Sequence, residues 1–285
     1  MPPKRIQTLN QTNHMTTPNT TNLPPNSPTP FAGKTICITG AAGGIGQAIA
    51  VAFAQAGASV WACDLAVPTP ESNTTAAIGA ITHRALDVTS ASQWQSCISE
   101  VIQTESKVDV LIQCASIVHF ATLESTSYEQ WKKVLDVNLD GVFLGIQTVL
   151  PIMKKQKQGV LLQIGSYLAS RPMPGLASYC VSKAAVETLT RVAALEAAAA
   201  SPAIRVNAIL PGGVKTSIWK SHPAWKHLLT IGKSENAAFQ ALAATTPQKR
   251  FSEPHEIAQL SLYLASDAAA FVTGACWSID GGITA

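Results

Sequence analysis

From Lys34 onward, apolar positions follow two alternating rhythms. Short, nearly unbroken apolar runs occur at Lys34–Thr39, Ala58–Cys63, Ile81–Leu86, Val108–Ile112, Gly159–Ile164, Ala203–Leu210 and within Gly274–Ile279. Continuous apolar runs of this length mark strands buried on both faces of a parallel sheet. Between them lie longer stretches with helical spacing: an alanine-rich one to about Ala56, one ending near Glu105, Trp131 to Met153, Ser178 through Glu196, and Pro254 to Ser266. Strand and helix alternate with short connections. That order predicts an α/β fold, a single doubly wound parallel seven-stranded sheet with helices on both faces.

Two stretches break the rhythm. Residues 1–30 are rich in Thr, Asn and Pro and poor in large apolar side chains, so they cannot bury enough surface to offset chain entropy. They read as a disordered N-terminal tail on a folded domain of residues 31–285. Residues 217–250 carry Ile218, Trp219, Trp225, Leu228, Leu229, Ile231 and Phe239 among polar residues without one period. A segment this long inside a compact domain reads as a substrate lid. No apolar run approaches the roughly 20 residues of a membrane span.

Composition narrows the picture. At 47% hydrophobic the 285-residue chain has ample material for a core, and a formal charge of +3 without clustered Lys or Arg argues against a nucleic-acid partner. The six cysteines are scattered, with no C-x-x-C and no histidines at ligand spacing. They read as reduced core residues of a cytoplasmic protein, with no metal site.

The chemistry gathers at strand ends. The first strand runs into Gly40-Ala41-Ala42-Gly43-Gly44-Ile45-Gly46 and then a helix. Missing side chains let backbone approach a pyrophosphate, and the helix N-terminus offers free N–H groups, so Gly40, Gly44, Ile45 and Gly46 form a candidate Rossmann-like phosphate cradle. Asp64 ends the second strand, where a carboxylate accepts from ribose hydroxyls and repels a 2′-phosphate. With no Arg or Lys in the glycine loop or just after Asp64, NAD is expected over NADP. An ordinary turn role for Asp64 stays open. Farther along, Tyr179 and Lys183 stand four apart on one helix face. A nearby cation lowers a tyrosine pKa from about 10, which suits acid/base work on an alcohol. Ser166 follows the carboxyl end of the Gly159–Ile164 strand. Tyr-x-x-x-Lys alone also fits a half-buried helix with an exposed lysine.

Ser166, Tyr179 and Lys183, at this spacing and with Thr39-Gly40-x-x-x-Gly44-x-Gly46, resemble the classical short-chain dehydrogenases/reductases from Gly33 to the C-terminus. The resemblance implies an NAD(P)-dependent oxidoreductase that interconverts a secondary alcohol and a ketone. In that reading Ser166 and Tyr179 hold the substrate oxygen, Lys183 grips the nicotinamide ribose and lowers the tyrosine pKa, and Asn138 holds a water linking Lys183 to solvent. On residues alone, Asn138 has an equal claim to a structural role. The resemblance also places Asp87 near the adenine, counts Val88 and Ala115 among the cofactor-binding residues, and sets Pro211, Gly212, Val214 and Thr216 around the nicotinamide. Asp87 is equally open as a cap of the helix that follows it. Gln113-Cys114-Ala115-Ser116 departs from the usual Asn-Asn-Ala-Gly, in a loop that shapes the cofactor wall but contributes no proton-transfer group.

Ile117, Val118, Phe120, Tyr167 and Met173 suggest a lipophilic, cyclic or fused-ring small-molecule alcohol or ketone. His119, His222 and His227 could reach it, though each reads as a solvated surface residue. By resemblance the C-terminal region builds a homotetramer or homodimer. Two alternatives stand beside this one: an NADPH-dependent ketoreductase of a biosynthetic, secondary-metabolic pathway, and a catalytically silent dinucleotide-binding scaffold.

Overall fold

The computed structural model describes residues 29–67 and 79–285. The tail at residues 1–28 and most of the proline-containing connection after the second strand lie outside the described residues. Each predicted apolar run is a strand: β1 (Thr35–Thr39), β2 (Ser59–Asp64), β3 (Ile81–Ala85), β4 (Val110–Gln113), β5 (Gly159–Ile164), β6 (Ile204–Pro211) and β7 (Cys276–Ile279). They form one sheet in the order β3-β2-β1-β4-β5-β6-β7, and every neighbouring pair is parallel. The order reverses between β1 and β4. That switch point opens a crevice at the carboxyl ends of the strands, where such sheets bind ligands.

Helices cover both faces because β1, β4 and β5 are buried on both sides. One core packs Ile49, Phe53, Ile257 and Leu264, from α1 (Gly44–Gln55) and α8 (Pro254–Ala265), against Ile36, Ile38 and Ile112. The other packs Trp94, Ile98 and Val149, from α2 (Ala91–Glu105) and α4 (Gly141–Gln156), and Val186, from α5 (Ala177–Ala200), against Leu111 and Leu161.

The helix expected over Trp131–Met153 begins earlier and is not uniform. A capping box of Ser127 and Gln130 starts α3 (Tyr128–Leu135), and a five-residue π segment, Asp136–Asp140, joins it to α4. Together, Tyr128–Gln156 is long and apolar enough to cross a membrane by length and composition alone, although Glu129, Lys132, Lys133, Asp136 and Asp140 interrupt it. Val142, Ile146, Val149, Leu150 and Met153 within it are buried in the α/β core.

Residues 217–250 are more ordered than their mixed pattern implies. They form a 3-10 turn (Ser217–Ser221), α6 (Trp225–Gly232), α7 (Glu235–Leu242) and a second short turn (Ala243–Thr245). Trp225 meets Phe239 with ring centroids 5.0 Å apart, and both belong to a small separate core that includes Phe251.

Candidate active site

The carboxyl edge of the sheet borders a cavity of about 890 Å³. At one end is the glycine turn. Gly40 has φ +66°, and a Cβ there would stand 2.6 Å from the Ala115 nitrogen. A Cβ on Gly46 would stand 2.2 Å from the Gly40 oxygen. Only glycine fits where the turn is pressed between the loop after β4 and α1. Gly43 caps α1 without any side-chain hydrogen bond, and the first turn carries no acidic residue. Gly43, Gly44, Ile45 and Gly46 line the cavity, and no Asp or Glu does among the described residues. Uncapped helix amides and bare backbone at a carboxylate-free cavity end fit a pyrophosphate.

Asp64 ends β2, and its carboxylate accepts the Ala42 N–H at 3.0 Å, which sets it against the glycine turn. Asp87 accepts from the backbone N–H of Thr89 at 2.9 Å and from its hydroxyl at 2.7 Å. It does not cap α2: Ser90 does, accepting the Gln93 N–H at 3.3 Å. Val88 and Ala115 line a separate, smaller hollow with Gln113. Asp64, Asp87, Val88, Ala115 and Asn138 are not among the residues lining the main cavity, whereas Pro211, Gly212, Val214 and Thr216, at and just beyond the end of β6, are.

The polar centre is built from β5 and α5. Ser166 follows β5, is buried, and accepts the Leu168 N–H at 3.2 Å, which leaves its hydroxyl hydrogen free to donate. Tyr179 and Lys183 sit in the first two turns of α5, and all three residues line the cavity. Lys183 is 3% exposed; its Nζ donates to the Ile164 carbonyl at 2.8 Å and lies 5.5 Å from the centroid of the Tyr179 ring. Burial pushes the Tyr179 phenol up to about 12, outweighing the Ser166 hydroxyl that favours phenolate. Burial also lowers Lys183 to about 8. In this arrangement, then, desolvation governs the tyrosine and the expected lowering by Lys183 is absent. Ser116 Oγ is itself buried without a hydrogen-bond partner.

Asn138 lies in the π segment, fully buried. Its Oδ1 accepts the Ile117 N–H at 2.8 Å, and its Nδ2 donates to the Ile117 carbonyl at 2.9 Å and to Ser182 Oγ at 3.2 Å. Ser182 in turn donates to the Tyr179 carbonyl at 2.7 Å. The amide thus ties the loop after β4 to the Tyr179 helix, which is a structural role.

The Gln113 departure is accommodated by packing. Its Nε2 donates to the Val142 carbonyl at 3.1 Å and its Oε1 accepts from Gln163 Nε2 at 3.3 Å, linking β4, β5 and α4. Cys114 faces the cavity with its thiol pushed up to about 12 by burial.

Val118, Phe120, Tyr167 and Met173 line the cavity, as the apolar composition suggested, whereas Ile117, expected with them, does not. Leu242, Phe251 and Ile283 also line it, and no local pattern pointed to them. His227 is exposed. His119 is half-buried, with its Nε2 out of reach of solvent and of any partner. His222 is no solvated surface residue. It lines the cavity with its ring edge-on to Phe120, centroids 5.2 Å apart.

A parallel sheet with a glycine turn at its switch point and a serine, tyrosine and lysine around one cavity defines an oxidoreductase of the Rossmann class. Comparison with known proteins narrows it. A family model described as "Enoyl-(Acyl carrier protein) reductase" matches residues 40–284. The 3-oxoacyl-[acyl-carrier-protein] reductase FabG of Thermotoga maritima is 37% identical over 254 residues, 88% of this chain and 98% of that one. The 2,5-dichloro-2,5-cyclohexadiene-1,4-diol dehydrogenase LinX of Sphingobium indicum is 35% identical over 255 residues, covering 88% and 96%. The structure of a 3-ketoacyl-(acyl-carrier-protein) reductase from Brucella melitensis complexed with NADH aligns with a TM-score of 0.79 at 27% identity, covering 89% and 99%. The chain belongs to the short-chain dehydrogenase/reductase family and is an oxidoreductase acting on CH–OH groups.

Proposed function

We propose that this chain is an NAD-dependent dehydrogenase that interconverts a secondary alcohol and a ketone on an apolar, cyclic small molecule. The observation that carries the reading is the convergence of Ser166, Tyr179 and Lys183 on a cavity whose other end is the glycine turn. Relatives whose names specify ring alcohols, LinX among them, are in accord with it. So is the apolar wall of Val118, Phe120, Met173 and Trp219.

The residues divide the work by position. Backbone at Gly40, Gly44, Ile45 and Gly46 holds the pyrophosphate, and Asp64 holds the adenosine ribose. Asp87, Val88 and Ala115 flank the adenine side, and Pro211, Gly212, Val214 and Thr216 border the nicotinamide. The nicotinamide, when bound, supplies the hydride acceptor or donor. Ser166 donates to the substrate oxygen and Tyr179 exchanges the hydroxyl proton with it. Lys183 supplies the cation beside that phenol. Because the Asn138 amide is fully engaged with Ile117 and Ser182, its part in any proton path falls to its main chain.

The preference for NAD rests on the Asp64 carboxylate beside the turn, with no Arg or Lys in the glycine loop or just after Asp64 in the sequence to take a 2′-phosphate. A ketoreductase using NADPH is the second reading; the name of the FabG relative supports the reductase part of it. Exposed Phe143, Val181, Val192 and Leu195 on α4 and α5 favour a homo-oligomer that covers them. The function is tested by following reduced-cofactor absorbance with purified protein, NAD or NADP, and a panel of cyclic alcohols. NAD-selective turnover that vanishes in Tyr179→Phe supports it; selectivity for NADP or better turnover of small sugars sinks it.

A further inference from the structure

We infer that His222 is a specificity-determining residue whose Nε2–H binds a second oxygen on the ring of the substrate, remote from the carbon that reacts. The inference rests on the alcohol/ketone reading above and deepens it. His222 lines the cavity at its apolar end, packed against Phe120 and, with centroids 5.9 Å apart, against Trp219. Its Nδ1 accepts the backbone N–H of Ala224 at 3.1 Å. In a neutral imidazole that leaves the proton on Nε2. Burial holds the ring's pKa below the ordinary 6.5, so at neutral pH it is uncharged and a single N–H donor.

That donor has no acceptor among the described residues, yet it is not sealed from solvent. Several other polar groups lining the cavity are already engaged: Trp219 Nε1 donates to the Val214 carbonyl at 2.8 Å, Ser221 Oγ to the Ile218 carbonyl at 2.6 Å, the Tyr167 hydroxyl to Met173 Sδ at 3.5 Å, and Arg171 to the Ile283 carbonyl. An oriented, uncharged N–H donor matches an uncharged acceptor, a hydroxyl or keto oxygen. A site built around such a group discriminates against the analogue that lacks it. The substrate class is therefore a ring carrying two oxygens, a diol, a hydroxyketone or a diketone.

The test compares cyclohexanol with the cyclohexane-1,3- and 1,4-diols in wild type, His222→Phe and His222→Gln. Phe keeps an aromatic wall without a donor, Gln keeps a donor, and both lose the contact to Ala224. Wild type is expected to favour at least one diol over cyclohexanol in kcat/KM. His222→Phe should reduce that diol-to-monoalcohol ratio about three- to tenfold, the size of one neutral hydrogen bond, mainly through KM. His222→Gln should restore part of the ratio. The inference is overturned by a ratio equal in all three proteins, by equal loss in Phe and Gln, or by diols that neither turn over nor bind in calorimetry with cofactor. Failure of the underlying reading looks different: no alcohol is oxidised, or oxidation survives Tyr179→Phe.

Discussion

Lys183 Nζ donates to the carbonyl oxygen of Ile164 at 2.8 Å while standing 5.5 Å from the Tyr179 ring centroid. The lysine is thus tied to the end of β5 and reaches the tyrosine only across the ring. With burial raising the phenol to about 12 and lowering the amine to about 8, the amine titrates well before the phenol, the reverse of their ordinary order.

Tyr179 should therefore ionise late in the free protein. Folding favours its neutral form, so the stabilisation is present below the ordinary pKa of about 10 and is lost as pH rises toward 12. The difference in phenolate absorbance between wild type and Tyr179→Phe should emerge above pH 10. Emergence below pH 9 would mean that the cation, not burial, sets this pKa.

Lys183 carries the opposite sign. Its folded pKa is depressed, so the penalty of a buried ammonium is fully present below pH 8 and relaxes as pH climbs to the ordinary 10.5. Lys183→Met should be more stable than wild type at pH 7 by about 3 kcal/mol, before packing changes, with the gap closing by pH 10.5. Urea unfolding of both proteins across that range measures it, and a pH-independent gap would contradict the burial argument.

Asp64 sits against the glycine turn through Ala42. Asp64→Ser removes the charge that repels a 2′-phosphate and keeps an oxygen that can accept from Ala42. The ratio of kcat/KM with NADP to that with NAD should rise by about tenfold or more, as expected for losing a close like-charge contact. No change in the ratio would move cofactor selection elsewhere.

Gln113 holds β4, β5 and α4 together through buried hydrogen bonds to Val142 and Gln163. Gln113→Leu leaves the Gln163 amide unpaired in the core and should cost about 1–3 kcal/mol. Denaturant midpoints would register the loss, and an unchanged midpoint would show that the departure from the usual asparagine is neutral.

The sequence by itself determined the sheet, because strands buried on both faces must be continuously apolar, and such runs can be recognised without knowing their neighbours. It also determined the glycine turn and the Tyr179–Lys183 pair, since both follow from local geometry: backbone freedom in one case and the helical repeat in the other. The 217–250 segment was legible only as a stretch without one period. Its two short helices pack on each other and on Phe251 in a small core of their own, so their apolar positions answer to that packing and not to one helical period. Whether Asp87 or Ser90 caps α2 was decided by chain direction at the helix entry, and the role of the Asn138 amide by the proximity of Ile117, twenty-one positions away. The direction of the Tyr179 shift and the place of His222 in the cavity wall depend on desolvation and on which loops meet. Those are properties of three-dimensional neighbours, and only the tertiary structure decided them.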